Sequence, residues 1–386
     1  MKQQEQPEII FVVENKLGGV AYLNKNIINN SSLKGNAYIK VILVNKLDSD
    51  HPRFTDLFEA DEVINFDYGG YENKYIVLKR LSNLFGTSPG AIICNDALEM
   101  EAIYLHGTPK TTYQVIHDFY NLKLAVKYGA ITDVFIAHTQ LFSDVLSSSD
   151  PGTVQVYYQP HGVAIPAHTT IHEPSDKLKI VFTGRLVEAK GVQDLFEINQ
   201  LLRRKGVEVE WTVIGRGALR NFLGKQWKGE NNIRFAAPDT NEEVMQLMGS
   251  QDIFMLPTRF EGSPVTVLEA LSVGLVPVIS DLPGGIREIV AENIGIRVPL
   301  GNNELFAVAV ESLHNNRLQL MRMKMAASSL AKEQFDIGVT SNNYFKLFLQ
   351  YKGLKKVRNT LTPIHIGFRL DKPWIPNALV SFLRKK

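Results

Sequence analysis

The chain has 386 residues, of which 45% are apolar and 21% charged, and its formal net charge at pH 7 is +2. This length allows two domains with substantial cores, and the composition is ordinary for a globular protein. The single cysteine, Cys94, excludes an internal disulfide, and no apolar stretch approaches the ~18 residues of a membrane-spanning helix. Residues 1–7 lack the apolar core of a signal peptide, so we expect a cytoplasmic protein.

Residues 8–165 alternate short apolar runs with polar or helical stretches. Most runs are rich in Ile and Val and uninterrupted, as in strands that helices cover on both faces. This alternation predicts a doubly wound parallel sheet. The predicted strands are 8–13, 38–44, 62–65, 90–94, 112–116, 133–137 and 154–158, and the predicted helices include 20–29, 71–85 and 121–128.

Short motifs of this half carry candidate site residues. Gly18 and Gly19 follow the first strand and permit close backbone approach to a phosphate or sugar, although an ordinary strand–helix turn explains them nearly as well. His117 follows an apolar run and is expected at the carboxyl end of a strand. Asp48 and Asp50 fit the Asp-x-Asp pattern of divalent-metal sites, but they stand in a polar loop that we interpret as a solvated turn.

A linker with two prolines is predicted near 162–178, and a second alternating block follows it. His161, His168 and His172 resemble metal ligands in spacing, but they lack a cysteine or helix nearby, so we predict no zinc site. Two such sheets in tandem are expected to leave a cleft where ligands bind. The predicted strands are 179–183, 210–214, 233–235, 253–256, 276–280 and 294–298, and the predicted helices include 192–203, 240–248, 264–273, 286–291 and 303–315.

Two glycine turns of the second block follow predicted strands. The first contains Gly184, Arg185 and Lys190, and the second contains Gly215. Arg185 offers a planar fork of donors and Lys190 a mobile point charge, and both suit a diphosphate. A solvated pair of cations at a turn is the alternative.

The most informative stretch is 260–270, where a helix is predicted after a buried strand. Ser263 is the predicted N-cap and Pro264 the predicted first helical residue. The first N–H groups of this helix, at Val265 and Thr266, favour an anion because they lack intrahelical acceptors and lie at the positive end of the helix dipole.

Two glutamates, Glu261 and Glu269, lie on either side of this predicted anion site. Carboxylates accept hydrogen bonds from paired hydroxyls such as those of a ribose or a hexose. The alternative is an ordinary capped helix with two solvated glutamates.

The residues from about 180 to 313 resemble the carboxy-terminal domain of the retaining glycosyltransferases of family 4 (glycosyl transferases group 1), which have the GT-B fold. The first half resembles this family more weakly, and His161 stands where the family usually has Asn. The matching segments are the Gly-Arg-x4-Lys-Gly turn at 184–191, the turn at 214–217, the glutamate pair, the small-residue segment at 270–278, and, in the first half, 17–20, 115–118 and 160–163.

This resemblance implies an α/β protein of the GT-B fold, with two Rossmann-like, doubly wound domains facing a central cleft. It implies an acceptor-binding domain at 1–165 and a nucleotide-sugar domain at 166–338. A helix at 339–353 is expected to cross back to the first domain, followed by a basic tail at 354–386.

The resemblance also implies roles for single residues. His117 is expected beside the donor sugar or acceptor, Glu261 at hydroxyls of the donor sugar, and Glu269 at the ribose. Backbone groups around Ala236 are expected at the nucleobase. The expected catalytic residues are His117, Glu261, Arg185 and Lys190, and the expected donor-binding residues are Gly18, Gly19, Gly184, Arg185, Lys190, Gly215, Ala236, Glu261, Gly262, Ser263, Pro264, Val265, Thr266 and Glu269.

The predicted function is a retaining, metal-independent transfer of a hexose or N-acetylhexosamine from a nucleotide-diphosphate sugar, with UDP favoured, to a glycan acceptor. The resemblance places this step in bacterial lipopolysaccharide, capsule or exopolysaccharide synthesis. The nucleotide sugar is a substrate, and we expect no cofactor, no metal and no nucleic-acid partner.

The last 35 residues, 352–386, contain nine Lys or Arg and one acid. A short interfacial helix from Asn377 would bring Leu379, Phe382 and Leu383 together, with Trp374 at the lipid headgroups. This arrangement predicts peripheral membrane contact near a lipid-linked acceptor. A helix that packs on the protein itself is an equal alternative.

Other functions fit these residues less well. A nucleotide-sugar epimerase or a phosphorylase has the same fold but needs acids, bases or a pyridoxal-phosphate lysine that we do not identify. A dehydrogenase needs Gly-x-Gly-x-x-Gly after the first strand, which residues 17–20 do not match. A non-catalytic sugar-nucleotide-binding protein is expected to have lost part of the cation and carboxylate set, which is complete here.

Overall fold

The computed structural model describes residues 6–16, 18–49, 58–149, 155–166, 171, 173, 176–356 and 363–385. The chain divides into two compact units, unit 1 (Met1–His161 with Ile337–Lys386) and unit 2 (Gly162–Asp336). Each unit is built on one parallel sheet with helices, which confirms the predicted α/β class. The domain bounds predicted at 165 and 338 differ from these unit bounds by a few residues.

The strands of unit 1 are β1 (Glu8–Glu14), β2 (Tyr38–Lys46), β3 (Glu62–Tyr68), β4 (Gly90–Cys94), β5 (Thr111–Ile116), β6 (Val134–Ala137) and β7 (Gln155–Tyr158). They form a parallel sheet in the order β3-β2-β1-β4-β5-β6-β7. The chain moves outward in one direction from β1 to β3 and in the other from β4 to β7. The carboxyl ends of β1 and β4 are therefore a topological switch point, where ligands of open α/β sheets bind.

The strands of unit 2 are β8 (Leu178–Thr183), β9 (Val209–Ile214), β10 (Ile233–Ala236), β11 (Ile253–Leu256), β12 (Val276–Ser280) and β13 (Ile296–Val298). Their parallel order is β10-β9-β8-β11-β12-β13. The switch point of this unit lies between β8 and β11. Side chains of Phe182, Trp211 and Phe254 are almost fully buried in the core on either side of the sheet.

The α-helices in the described part of the chain follow the strands in both units. They are α1 (Gly19–Asn30), α2 (Lys74–Asn83), α3 (Ala97–His106), α4 (Phe119–Tyr128), α5 (Gln140–Ser149), α6 (Leu195–Arg204), α7 (Arg220–Gln226), α8 (Asn241–Gly249), α9 (Val265–Ser272), α10 (Gly285–Ile289), α11 (Asn303–Asn315), α12 (Arg317–Gln334), α13 (Ile337–Leu349), α14 (Tyr351–Leu354) and α15 (Asn377–Arg384). Short 3-10 turns occur at Lys34–Asn36, Gly129–Ile131, Glu188–Lys190 and Val192–Asp194.

Helix α13 belongs to unit 1 although it follows the whole of unit 2 in the chain. Phe348 packs edge-on against Phe11 and Tyr113, with ring centroids 5.7 and 5.3 Å apart. The Tyr113 hydroxyl also donates to the Leu347 carbonyl at 3.0 Å. These buried contacts fasten the helix to the centre of the unit 1 sheet.

Element bounds differ from the predictions for identifiable reasons. The helix predicted at 71–85 begins later, at Lys74, because the Asn73 side chain accepts a hydrogen bond from the Tyr75 N–H and caps it. Helices α3 and α5 were not among those named from the sequence. For α3 a start signal existed, since Asp96 and Glu99 form a capping box.

The carboxy-terminal segment 363–385 packs on unit 1, which agrees with the packed-helix alternative. Asn377 accepts from the Asn73 N–H at 2.6 Å, and Asp371 accepts from the Lys74 N–H at 2.8 Å. Val380 of α15 is fully buried. Outward-facing apolar side chains remain, because Trp374 is 77% exposed and Phe382 56% exposed.

Candidate active site

The loops after β8 and β11 are tied together at the switch point of unit 2. The Arg259 N–H and the Thr258 hydroxyl both donate to the Ala189 carbonyl, at 2.8 and 3.1 Å. Gly191 packs directly against this second loop, since a Cβ there would lie 1.9 Å from the Pro257 carbonyl oxygen. The topology and these contacts bring the predicted cation turn and the predicted carboxylate loop side by side.

Lys190 and Glu261 form an ion pair in this place. The distance from Lys190 Nζ to Glu261 Oε1 is 2.6 Å, and the two side chains are only 22% and 9% exposed. The cation expected at the diphosphate and the carboxylate expected at the sugar are therefore neighbours. A phosphate that approaches Lys190 meets a cation whose position Glu261 already fixes.

Arg185 lies on the same loop as Lys190 and is exposed. Its guanidinium makes no hydrogen bond or ion pair with the residues that the structure describes. Its planar set of donors remains available for a bidentate anion such as phosphate.

Helix α9 begins at Val265, with Pro264 at the N-cap position and no side-chain cap. The prediction of Ser263 as N-cap and Pro264 as first helical residue is therefore wrong by one position. The reason is that the Val267 N–H donates to the Pro264 carbonyl at 3.0 Å, so the first turn closes on that carbonyl. The N–H groups of Val265 and Thr266 precede this bond and have no acceptor within the helix, as predicted for an anion site.

The turn before α9 is held by close packing. A Cβ on Gly285 would lie 2.9 Å from the Gly262 carbonyl oxygen and 3.4 Å from the Ser263 Cα. The predicted contact residues Gly262 and Ser263 thus stand in a turn that the start of α10 supports.

Glu269 lies on the second turn of α9 and is the most perturbed carboxyl group of this region. Burial raises its pKa to about 7, and a hydrogen bond from the Asn241 side chain acts in the opposite direction. Near neutral pH the group is therefore divided between its protonated and ionised forms. Partner hydroxyls that donate to the carboxylate would favour the ionised form.

The glycines of the two turns have a packing role. A Cβ on Gly215 would lie 1.9 Å from the Gly184 carbonyl oxygen, and Gly215 has a φ of +144°. The Leu186 N–H donates across to the Arg216 carbonyl at 2.9 Å. The close contact between the turns after β8 and β9 therefore explains why residue 215 is a glycine, and no ligand is needed for that explanation.

Ala236 ends β10 beside these turns, and its carbonyl accepts from the Gly215 N–H at 2.9 Å. Residues 234–238 line one side of a groove whose other side includes Glu243 and Leu247. The Arg216 guanidinium donates to the carbonyl of Ala237, one of the lining residues, at 2.7 Å. This groove is where backbone contacts to a nucleobase were predicted.

In unit 1, Gly18 and Gly19 stand at the start of α1 in open space. Gly18 has an extended backbone that any residue adopts, and a Cβ on either glycine would meet nothing within 4 Å. Neither chain conformation nor packing in the described residues requires glycine here. Close approach of a ligand to these glycines stays a prediction. Leu17 of this motif lies outside the described residues.

His117 lies at the end of β5, as predicted. Its Nε2 is 2.9 Å from Asn95 Oδ1, and one ring nitrogen of His117, His138 and His161 each lies within 4.8 Å of the others. Burial lowers the pKa of all three rings, that of His138 to about 4. Sequence reasoning missed His138, although it follows β6 as directly as His117 follows β5.

The remaining metal-like motifs are not joined to these sites. Asp48 is part of a turn and accepts from the Gly70 N–H at 2.5 Å. Asp50, His168 and His172 lie outside the described residues.

Residues 167–330 match the family model described as glycosyl transferases group 1. The sequence of this part of the chain is therefore similar to that of group 1 glycosyltransferase domains. The solved structure of Anabaena Alr3699/HepE in complex with UDP has a TM-score of 0.69 and 17% identity, and the match covers 89% of this chain and 99% of that one. Likeness at this level shows the fold, which is the predicted GT-B fold.

Curated relatives are similar to this chain over shorter stretches of sequence. The chain is 28% identical over 188 residues to the amylovoran biosynthesis glycosyltransferase AmsK of Erwinia amylovora, which covers 46% of this chain and 45% of the relative. It is 27% identical over 175 residues to the N,N'-diacetylbacillosaminyl-diphospho-undecaprenol alpha-1,3-N-acetylgalactosaminyltransferase of Campylobacter jejuni, which covers 45% of each. The chain thus spans about half the length of the curated relatives it matches. Among its described residues, no helix is both long and apolar enough to cross a membrane.

Proposed function

We propose that this protein is a retaining glycosyltransferase that moves a hexose or N-acetylhexosamine from a UDP-sugar to a glycan acceptor in the synthesis of a bacterial surface polysaccharide. The observation that carries the proposal is the convergence of four anion- and hydroxyl-binding elements at the unit 2 switch point. These elements are exposed Arg185, the Lys190–Glu261 pair, the α9 N-terminus and Glu269.

The chemistry asked of this site is stabilisation of a leaving diphosphate. As the bond to the sugar breaks, negative charge grows on the β-phosphate and positive charge on the anomeric carbon. Arg185, Lys190 and the N–H groups of Val265 and Thr266 are donors suited to that charge. They supply it without a divalent ion at the diphosphate, so we propose no magnesium or manganese requirement.

The two carboxylates then separate by role. Glu269 lies on the side nearer Asn241 of α8 and would accept the ribose hydroxyls, and Glu261 would accept hydroxyls of the donor sugar. Glu261 is already neutralised by Lys190, so a sugar hydroxyl can reach it without adding an unpaired buried charge.

The choice of UDP and of a surface-glycan acceptor draws on the relatives. The HepE structure contains UDP, and the AmsK name refers to amylovoran biosynthesis. The Campylobacter jejuni name refers to a diphospho-undecaprenol substrate, which is a lipid-linked acceptor. Exposed Trp374, Leu379, Phe382 and Leu383 on the basic carboxy-terminal segment suit peripheral contact with a membrane that holds such an acceptor.

The test is product formation with defined stereochemistry. Purified full-length protein is incubated with UDP-, GDP- and ADP-sugars and short lipid-linked glycan acceptors, and the anomeric configuration of the product is read by NMR. We expect transfer from a UDP-sugar with retention and with undiminished rate when magnesium and manganese are withheld. Epimerised free nucleotide sugar with no transfer would instead support the epimerase, and tight donor binding with no turnover would support a non-catalytic protein.

A further inference from the structure

Three histidines from separate strand ends meet at the carboxyl edge of the unit 1 sheet. His117 directly follows β5, His138 directly follows β6, and His161 follows β7. The rings of His138 and His161 lie 4.0 Å apart between centroids, and those of His117 and His138 lie 5.0 Å apart. His138 and His161 are buried and His117 is half-buried.

The hydrogen bonds of His138 fix which nitrogen carries its proton. Nδ1 lies 2.9 Å from the Gln159 carbonyl oxygen, which only accepts, so Nδ1 is the protonated donor. Nε2 therefore carries a lone pair. This atom is buried and has no hydrogen-bond partner among the described residues. A lone pair in that position lacks the donor or cation that buried acceptors normally have.

The hydrogen bonds of His117 fix its tautomer in the same way. Asn95 Nδ2 donates to the Val12 carbonyl at 2.8 Å, so Asn95 Oδ1 is the acceptor end of that amide. His117 Nε2, 2.9 Å from Oδ1, must then carry the proton. Its Nδ1 has the lone pair. Both histidines thus donate from one nitrogen to an oxygen acceptor and keep a lone pair on the other, which is the usual outer-shell arrangement of metal-binding histidine.

Burial opposes protonation of all three rings. Burial lowers the pKa of His161 well below its usual value, and repulsion from His138 and His117 adds to this. Burial does the same for His117 and His138. Neutral imidazole is the form that binds metal.

We propose that His117, His138 and His161 form a binding site for a divalent transition-metal ion of the zinc class. Three imidazoles with an open fourth position match the ligand set of exchangeable zinc sites, and imidazole suits zinc, cobalt, nickel and copper better than magnesium or manganese. Zinc–nitrogen bonds of about 2.0–2.1 Å would draw the three nitrogens closer together than the present limit of 4.8 Å. The fourth position would hold water or a hydroxyl.

This site is independent of the donor chemistry proposed for unit 2. It uses nitrogen ligands rather than diphosphate oxygens, so its metal is not the magnesium or manganese for which we propose no requirement at the diphosphate. The sequence prediction of no zinc site considered His161 only with His168 and His172, its neighbours in the chain.

The test is metal binding to full-length protein that carries no affinity tag and has been stripped with chelator. Cobalt(II) is titrated in, and the visible d–d absorption of a four-coordinate site is followed, with zinc used to displace it. We expect one equivalent of cobalt with strong visible absorption, loss of that absorption on zinc addition, and a higher unfolding temperature with zinc.

Two variants and a control make the result specific. His161→Asn places at this position the amide that the family resemblance led us to expect, and His138→Ala removes the unpartnered lone pair. Both should weaken cobalt binding by ~100-fold or more, beyond the loss typical of outer-shell changes. His365→Ala, an exposed histidine, should bind as the wild type does. If His138→Ala fails to fold, His161→Asn decides alone. Wild-type protein without the absorption, or His161→Asn with unchanged affinity, would overturn the proposal and leave three packed, neutral histidines.

Discussion

The carboxyl edges of the two sheets differ in the charges that the same architecture places there. In unit 2 the switch point holds Arg185, the Lys190–Glu261 pair and a carboxyl with a pKa of about 7. In unit 1 the corresponding edge holds amides and three histidines whose pKa values burial lowers. The first suits a diphosphate, and the second suits hydroxyls or a metal ion. Function therefore depends on the side chains at the edge rather than on the sheet.

The largest effect is expected when one of the two cations at the carboxyl edge of the unit 2 sheet is removed. Arg185→Ala or Lys190→Ala should lower turnover by ~10²-fold or more, because each removes a donor to the growing negative charge of the diphosphate. Initial rates with a UDP-sugar and acceptor measure this.

Arg204→Ala is the matched control, since Arg204 is an exposed cation at the end of α6. It should retain wild-type turnover. Near-normal rates in both Arg185→Ala and Lys190→Ala would remove the assigned roles.

The next prediction compares the loss of stability when one glycine from each sheet edge is replaced by alanine. Gly215→Ala should lower the free energy of unfolding by about 2 kcal/mol or more, because its Cβ would lie 1.9 Å from the Gly184 carbonyl oxygen. Gly18→Ala should change it by less than about 0.5 kcal/mol, because its Cβ meets no described atom.

Thermal unfolding of both variants measures the difference in stability. Turnover is then measured for the same variants. If a ligand approaches the backbone at Gly18, the Gly18→Ala protein should fold normally but turn over more slowly than the wild type. Equal stability losses in the two variants would contradict the packing account.

The charged residues at the carboxyl edge of the unit 2 sheet could be predicted from the sequence because they lie in short motifs. Arg185 and Lys190 share one turn, and Glu261 is one loop away from the helix that carries Glu269. The strands were readable because their apolar runs are buried on both faces. Ser263 was misplaced as a cap because the choice between adjacent residues depends on which carbonyl closes the first turn.

The histidine cluster at the carboxyl edge of the unit 1 sheet could not be predicted in the same way. His117, His138 and His161 are brought together only by the order of β5, β6 and β7 in the sheet. No local spacing links them, and the pairing that fixes their tautomers depends on Asn95 and the Gln159 carbonyl. A search for polar residues directly after each predicted strand would have found His117 and His138 together.

A smaller effect is expected at the carboxy-terminal segment. Asp371 and Val380 are buried in unit 1, so deleting this segment would disturb the fold as well as the surface. Phe382→Ser with Leu383→Ser changes only exposed positions of α15 and should reduce co-sedimentation with anionic liposomes by roughly tenfold, as loss of about 1.5 kcal/mol of apolar burial implies.

Val308→Ser is a control at an exposed apolar position of unit 2. It should sediment as the wild type does, and turnover on a short soluble acceptor should be unchanged in all three proteins. If the protein with both Phe382→Ser and Leu383→Ser sediments with liposomes as much as the wild type does, the membrane contact is refuted.

A further effect concerns Glu269 and pH. Its folded-state pKa of about 7 lies above the ordinary value of 4.5, so the folded state holds this proton more tightly than the unfolded state. Glu269 therefore has no unfavourable effect below pH 4.5, lowers stability progressively as the pH rises from 4.5 to about 7, and causes no further loss above that pH. Glu269→Gln should gain unfolding temperature relative to the wild type over that window, and parallel pH profiles of the two proteins would contradict the raised pKa.

The central claim is that the switch point of unit 2 binds the diphosphate of a nucleotide sugar, and calorimetric titration with UDP tests it most directly. Wild-type and Arg204→Ala proteins should bind UDP with equal affinity in magnesium-free buffer. The doubly substituted Arg185→Ala, Lys190→Ala protein should remain folded and bind at least ~10-fold more weakly, because it lacks two charged donors to phosphate. Equal affinity of the doubly substituted and wild-type proteins for UDP would contradict the claim.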